Sequence, residues 1–412
     1  MASPKLRFKE FDGDWNSIAI GKFLKIKSGL GFKAEEYSTE QEIRLLQIEN
    51  VGYGAVKWTH NVKFVPTNYL DVHKDLVLKE GDLVLALNRP VTNDQLKIAK
   101  LTQEDSPSIL YQRVGKLDFL KEDIDKEFIF QIFKKDVKNY VLNSSIGSDQ
   151  PFISTTDLYK HKLCIPLKEE QTKIASFLSA VDEKINQLTQ KHELLSQYKQ
   201  GMMQKLFSQQ IRFKADDGSK FGKWVNKKII EIADYVDFRG KTPKKVDNGI
   251  LLVTAKNIRF GYIDYEVSRE YIGSDDFEEV MRRGCAKIGD VLITTEAPLG
   301  NVASVDREDI ALAQRVIKYR GKEGILNNAF LKQKFLSEDF QALIASKATG
   351  GTVQGIKGST LHNLEIYIPQ DIEEQTKIAN FLSSIDQKIE VVAQQIEQAK
   401  QWKKGLLQQM FV

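Results

Sequence analysis

Along residues 166–207 the side chains at Ile174, Leu178, Val181, Ile185, Leu188, His192, Leu195, Tyr198, Met202 and Leu206 recur in steps of three and four. That spacing lays one stripe along a single helix. Its mean near 3.5 residues is the coiled-coil period, and about 40 residues at ~1.5 Å each give a rod roughly 60 Å long. The stripe returns at Ile378, Leu382, Ile385, Ile389, Val392, Ile396, Ala399, Trp402, Leu406 and Met410. Burying an aliphatic side chain is worth about 1.5–3 kcal/mol, so each stripe needs a cover, and the nearest is the other stripe. The candidate helix–helix and partner-facing positions are Ile174, Leu178, Val181, Ile185, Leu188, Leu195 and Met202 with Ile378, Leu382, Ile385, Ile389, Val392, Ile396 and Leu406. Gly201 and Gly405 interrupt good helix formers at matching places, which predicts close approach of another helix there.

The two stripes belong to a repeat. EEQTKIASFLSAVDEKI at Glu169–Ile185 returns as EEQTKIANFLSSIDQKI at Glu373–Ile389, identical at 13 of 17 positions and offset by 204 residues. The same offset pairs YKQGMMQKLF at Tyr198 with WKKGLLQQMF at Trp402. Ahead of each copy lies a divergent stretch with short echoes in one order: LRFKEFDG at Leu6 and IRFKADDG at Ile211, LLQIENV at Leu45 and LVTAKNI at Leu252, GDLVLALNRP at Gly81 and GDVLITTEAP at Gly289, then the QRV triplets at Gln112 and Gln314. If both halves repeat one domain-to-helix geometry, stripe meets stripe through a two-fold rotation, and the helices run antiparallel.

Short β-like runs such as IRLLQI, DLVLAL, ILLVTA and DVLITT are bounded by Gly, Asn, Asp and Pro, with helical stretches such as NNAFLKQKFLSEDFQALIAS between them. The expected fold class is α+β: two pseudo-symmetric α/β domains separated by two long helices packed as an antiparallel coiled coil. The boundaries read as a first domain at 1–166, a central spacer helix at 167–208, a second domain at 209–369 and a C-terminal spacer helix at 370–412.

Composition adds little beyond excluding classes. The 412 residues are 42% hydrophobic and 28% charged, ordinary for globular domains. No apolar run approaches the ~20 residues of a membrane helix, and the charged start is unlike a signal peptide, so no membrane role and a cytoplasmic location are expected. Cys164 and Cys285 match no disulfide or metal pattern and are expected to be buried thiols. No GxxxxGK[ST], HExxH, CxxC or GxSxG occurs, nor any Pro-Pro of an amino-methyltransferase loop, so no catalytic residue, bound cofactor or metal ligand is assigned.

A net charge of +4 leaves any nucleic-acid partner to local patches. One patch is FRGKTPKKVDNGILLVTAKNIR, with Arg239, Lys241, Thr242, Lys244, Lys245, Lys256, Asn257 and Arg259 against a single Asp247; at the equivalent place in the first half stand Lys25, Lys27 and Lys33 with no acid among them. Lysine and arginine neutralise phosphates, and Asn, Gln and Arg carry forked groups that read base edges. Gln112, Arg113, Gln314 and Arg315 are further candidates, either as base readers or as structural supports of a neighbouring loop.

The doubled EEQTKIAxFLSxxDxKI … KxGxxQxxF element, each copy just after an Ile-Pro and a divergent domain, resembles the specificity subunit of type I restriction-modification systems across essentially the whole chain. The resemblance implies a non-catalytic, DNA-recognising subunit. Each divergent domain is then a target recognition domain reading one half of an asymmetric, bipartite double-stranded DNA site. The paired helices set the gap and dock two methyltransferase subunits, and restriction subunits complete the complex. S-adenosylmethionine, ATP and Mg2+ are expected on those partner subunits alone. The residues leave three rivals: a stand-alone tandem DNA-binding regulator, a fused restriction-modification enzyme with an unrecognised active site, and a coiled-coil adaptor.

Overall fold

A computed structural model describes residues 3–144, 152–238, 243–351 and 353–412. Four helices matter below: α1 (Lys126–Phe133), α2 (Lys168–Phe207), α3 (Asn328–Leu336) and α4 (Ile372–Met410). The chain divides into two compact units, one of Met1–Leu188 with Gln395–Val412 and one of Thr189–Gln394.

In the first unit a five-stranded sheet runs in the order Leu24–Ser28, Val114–Phe119, Leu83–Ala86, Ile98–Lys100, Tyr53–Ala55. A four-stranded sheet follows Phe64–Val65, Ile43–Leu46, Ser108–Leu110, Val77–Leu78, and Asn16–Ala19 pairs antiparallel with Lys162–Ile165. The second unit repeats the plan. One four-stranded sheet is ordered Ala233–Asp237, Val316–Gly321, Val291–Thr295, Leu299–Ser304, and the other Lys245–Val246, Tyr271–Ile272, Ile250–Val253, Ile310–Leu312. Trp224–Lys228 pairs with Glu365–Pro369. The largely apolar runs at Leu83–Ala86 and Val291–Thr295 become fully buried inner strands, as a strand covered on both faces requires. The QRV triplets join the two sheets: each closes the short connection after Ser108–Leu110 or Ile310–Leu312 of one sheet, and its valine begins a strand of the other.

Each unit buries part of both long helices. In the first, Ile174, Ala175, Leu178 and Val181 near the start of α2 share a core with Leu406, Met410 and Phe411 near the end of α4. In the second, Met203, Leu206 and Phe207 at the end of α2 share a core with Ile378, Ala379 and Leu382 at the start of α4. Start therefore meets end in both, which is the antiparallel sense. Matching aromatic edges close the joints: Trp15, Phe128 and Phe411 in one unit, Trp224, Phe330 and Phe207 in the other, with centroids 5.5–6.5 Å apart. The caps match too, because Asp125 accepts from the Phe128 N–H at the start of α1 and Asn327 from the Phe330 N–H at the start of α3.

Several expectations need correction. Tyr198 and Trp402 lie on the outside, 52% and 54% exposed, and Met203 rather than Met202 is the buried methionine. A stripe read with a strict 3.5-residue repeat drifts round a helix of 3.6 residues per turn. Nothing lies within 4 Å of where a Cβ would stand on Gly201 or Gly405, so no helix approaches either among the described residues. Cys285 is exposed and Cys164 half-buried, so neither is the buried thiol expected.

Asp136, at the start of the Asp136–Ser144 helix, leaves its Oδ2 without a hydrogen-bond partner. Burial pushes its carboxyl up to about 6 against the opposing pull of Lys135. The folded chain thus holds a proton more tightly than the unfolded one, and stability falls as pH rises from about 4 through 6. Asp136→Asn is expected to stabilise the protein at pH 7 by up to ~3 kcal/mol, at about 1.4 kcal/mol per tenfold in acidity, and to change little at pH 3.5. Urea denaturation at the two pH values checks both halves of this expectation.

Candidate nucleic-acid interface

The most repeated residues build joints. Glu170, 2% exposed, accepts from Arg7 Nε and Nη2 at 2.7 Å each and from Trp15 Nε1 at 3.3 Å. Glu374, fully buried, accepts from Arg212 Nε at 2.9 Å, Arg212 Nη2 at 2.8 Å and Trp224 Nε1 at 3.2 Å. The forked pairing holds both guanidiniums above their ordinary range. The next residue completes each joint. Gln171 accepts from the Asp125 N–H at 2.8 Å and donates to the Pro166 and Asp123 carbonyls; Gln375 accepts from the Asn327 N–H at 2.9 Å and donates to the Pro369 and Ile325 carbonyls. The EEQ motif is thus the joint between a long helix and its domain. Reading the sequence assigned it no role, although Arg7, Trp15 and Glu170 recur in order as Arg212, Trp224 and Glu374.

A second pairing lies further along each helix. In the first unit Asp182 takes Gln131 Nε2 at 3.1 Å, Lys134 Nζ at 3.4 Å and Lys403 Nζ. In the second, Asp386 takes Gln333 Nε2 at 2.8 Å and Lys199 Nζ at 2.6 Å. Burial alone would raise the Asp182 carboxyl, but Lys134 and Lys403 outweigh it and hold it low. Lys134 is itself pushed down to about 8, chiefly by burial and then by Lys403, against the pull of Asp182.

In both units an edge strand beside the basic run pairs with the strand that follows a QRV triplet. The strand carrying Lys25 and Lys27 pairs with the one that follows Gln112 and Arg113, and Ala233–Asp237 pairs with the one that follows Gln314 and Arg315. Lys25 and Lys33 are exposed, while Lys27 meets Asp75 at 2.7 Å. In the second unit Lys244 and Lys256 are exposed, Lys245 meets Glu270 at 2.8 Å and Arg259 meets Asp264 at 3.5 Å. Acids outside the basic runs therefore offset several cations, and the patches are weaker than the linear run suggests. Arg239, Lys241 and Thr242 lie outside the described residues.

Asn257 is a correction. It is fully buried; its Oδ1 accepts from the Thr254 N–H and Oγ1, and its Nδ2 donates to the Asp264 and Ser268 carbonyls, so no edge is left for a base. Its echo Asn50 is equally buried and pins its own loop by accepting from the Gln47 N–H and donating to the Lys57 carbonyl.

The QRV triplets form strained corners. Arg113 has φ +66° and Arg315 φ +71°, the left-handed region that favours glycine. The Arg113 carbonyl accepts from the Leu87 N–H at 2.9 Å and the Arg315 carbonyl from the Thr295 N–H at 2.9 Å. Beside each lies a second left-handed corner, Arg89 at φ +45° and Ala297 at φ +45°. Such residues each cost of order 1–3 kcal/mol and persist where the surroundings over-determine them. Arg89, Gln112 and Arg113 are exposed; Arg315, half-exposed, faces Glu296 at 3.6 Å.

The family model for the type I restriction modification DNA specificity domain matches residues 12–196 and again 222–401. The chain belongs to that family. It carries two specificity domains, each comprising one set of echoes and the helix segment that follows. It is 38% identical over 215 residues to the MjaVIII type I restriction enzyme specificity subunit of Methanocaldococcus jannaschii, covering 51% of this chain and 49% of that one. It is 27% identical over 183 residues to the EcoAI specificity subunit of Escherichia coli, covering 43% and 30%. These matches span half or less of each relative's length. Among solved structures, the S subunit of a type I restriction-modification system from M. genitalium covers 100% of this chain, and 99% of its own, at TM-score 0.62 and 15% identity. A chain from work on complex assembly and conformational transition of the type I R-M system covers 96% of this chain, and 97% of its own, at TM-score 0.54 and 18% identity. Those two likenesses show the fold of a specificity subunit. Among the described residues no group of three or more His, Cys, Asp or Glu stands together as metal ligands, and no helix is long and apolar enough to cross a membrane.

Proposed function

We propose that this chain is the non-catalytic DNA-recognition subunit of a type I restriction-modification complex. Each domain reads one half of an asymmetric bipartite site in double-stranded DNA. The long helices set the gap and dock two methyltransferase subunits, and restriction subunits join the full complex. S-adenosylmethionine, ATP and Mg2+ belong to those partners. The observation that carries this reading is the double family match, 12–196 and 222–401, on two domains built alike at their joints and unlike in their loops. Duplicated Glu170–Gln171 and Glu374–Gln375 joints fix two domains in the same manner, while the loop side chains differ between them. Unlike readers on like mounts suit two unlike half-sites, with each wrong base costing roughly 1–3 kcal/mol.

The test is methyl transfer to DNA from S-adenosylmethionine. The chain with its modification partner is expected to methylate adenines within a defined site, and the chain alone to transfer nothing. Transfer by the chain alone would establish the fused-enzyme reading. Tight, site-specific binding by the chain alone, with no effect on any modification partner, would establish a regulator.

A further inference from the structure

The strained corners of the two domains occupy equal places and carry different chemistry. In the first, Asn88 and Arg89 stand beside Gln112 and Arg113, tied by the Leu87 N–H to the Arg113 carbonyl. In the second, Glu296 and Ala297 stand beside Gln314 and Arg315, tied by the Thr295 N–H to the Arg315 carbonyl. Through most of their length the two domains have diverged, yet an arginine is held left-handed at both corners, where glycine would sit without strain. A corner kept only for its backbone has no use for arginine. A glycine faces each pair: a Cβ on Gly31 would stand 2.9 Å from Gln112 Oε1, and one on Gly355 3.3 Å from Glu296 Cγ, so bare backbone flanks the polar side chains.

We propose that these corners are the base-reading tips of the two target recognition domains, with Arg113 selecting guanine in one half-site and the Glu296–Arg315 pair selecting a cytosine·guanine pair in the other. The proposal rests on the DNA-recognition reading above. An arginine fork at an exposed corner matches O6 and N7 of guanine. Arg315 offsets the repulsion between the Glu296 carboxylate and phosphates, and the carboxylate can accept from a base amino group, for which the cytosine N4 amino group is the usual donor. Arg315, within 3.6 Å of that carboxylate, is placed to take the paired guanine. The dissimilarity of the half-sites then comes in part from Glu296 standing where the first domain has Asn88.

The experiment is base-resolution mapping of adenine methylation by the complete chain with its modification partner, for the wild type and for Arg113→Gly, Arg315→Gly and Glu296→Gln. Glycine keeps the left-handed backbone, so a purely structural corner would be preserved. R113G is expected to lose roughly 5- to 150-fold of the preference at one or two base pairs of a single half-site, with the other half-site and the gap intact. R315G and E296Q are expected to relax the opposite half-site only. Unchanged motifs, uniformly weaker methylation with an unchanged motif, changes in both half-sites from one substitution, or loss of all methylation would each overturn the proposal. A wild-type complex that methylates no bipartite site would instead remove the function on which the proposal stands, so the two failures are distinguishable.

Discussion

Glu374→Ala is expected to destabilise the second unit by about 3–5 kcal/mol, because it strands the Arg212 guanidinium and the Trp224 N–H in a largely buried joint. Replacing both partners, Arg212→Met with Glu374→Met, is expected to cost clearly less, since no unpaired charge is left behind. Glu170→Ala and the Arg7→Met with Glu170→Met pair should repeat the pattern in the first unit, where Glu170 is 2% exposed. Denaturant unfolding of the full chain and its variants measures the differences. If E374A proves no worse than the double replacement, the joint holds by packing and not by the paired charge.

The second large effect concerns a fragment. Residues 1–208 retain Ile174, Ala175, Leu178 and Val181 but lose Leu406, Met410 and Phe411, which share their core. Leaving such side chains in water costs about 1.5–3 kcal/mol each. The fragment carries its own substitute: Met202, Leu206 and Phe207 stand 204 residues before Leu406, Met410 and Phe411, and Leu206 and Phe207 already pack on the equivalents Ile378, Ala379 and Leu382. A second copy can therefore supply the missing cover in both directions through a two-fold axis. The fragment is expected to be a dimer at micromolar concentration in sedimentation equilibrium. A monomer there would mean that α2 does not accept its own sequence in place of α4.

The long helices, their antiparallel sense and the division into matched halves were legible because they rest on local periodicity and on near-identity at a fixed offset. The joints were only half legible: EEQ was visible as a motif, but the arginine and tryptophan that use Glu170 lie more than 150 positions away in sequence. Sheet order was not legible, since parallel pairing of Ile43–Leu46 with Ser108–Leu110, and of Ile250–Val253 with Ile310–Leu312, leaves no periodic trace. The basic runs misled for a related reason. Asp75, Glu270 and Asp264 reach the cations through the fold, and only coordinates show the pairing. Asn257 was chosen for its side-chain chemistry, but a buried asparagine spends that chemistry on its own loop. Gln112, Arg113 and Arg315 were found by the echo, while the left-handed backbone that singles out Arg113 and Arg315 is invisible in the letters.

The central claim is that one chain carries two independent readers of a divided DNA site. Base-resolution methylation mapping in cells that express this chain with its modification partner tests it most directly. The account predicts a motif of two unlike short half-sites separated by a constant number of unspecified base pairs, with a methylated adenine in each half. A single uninterrupted motif, or two half-sites of identical sequence, would contradict it.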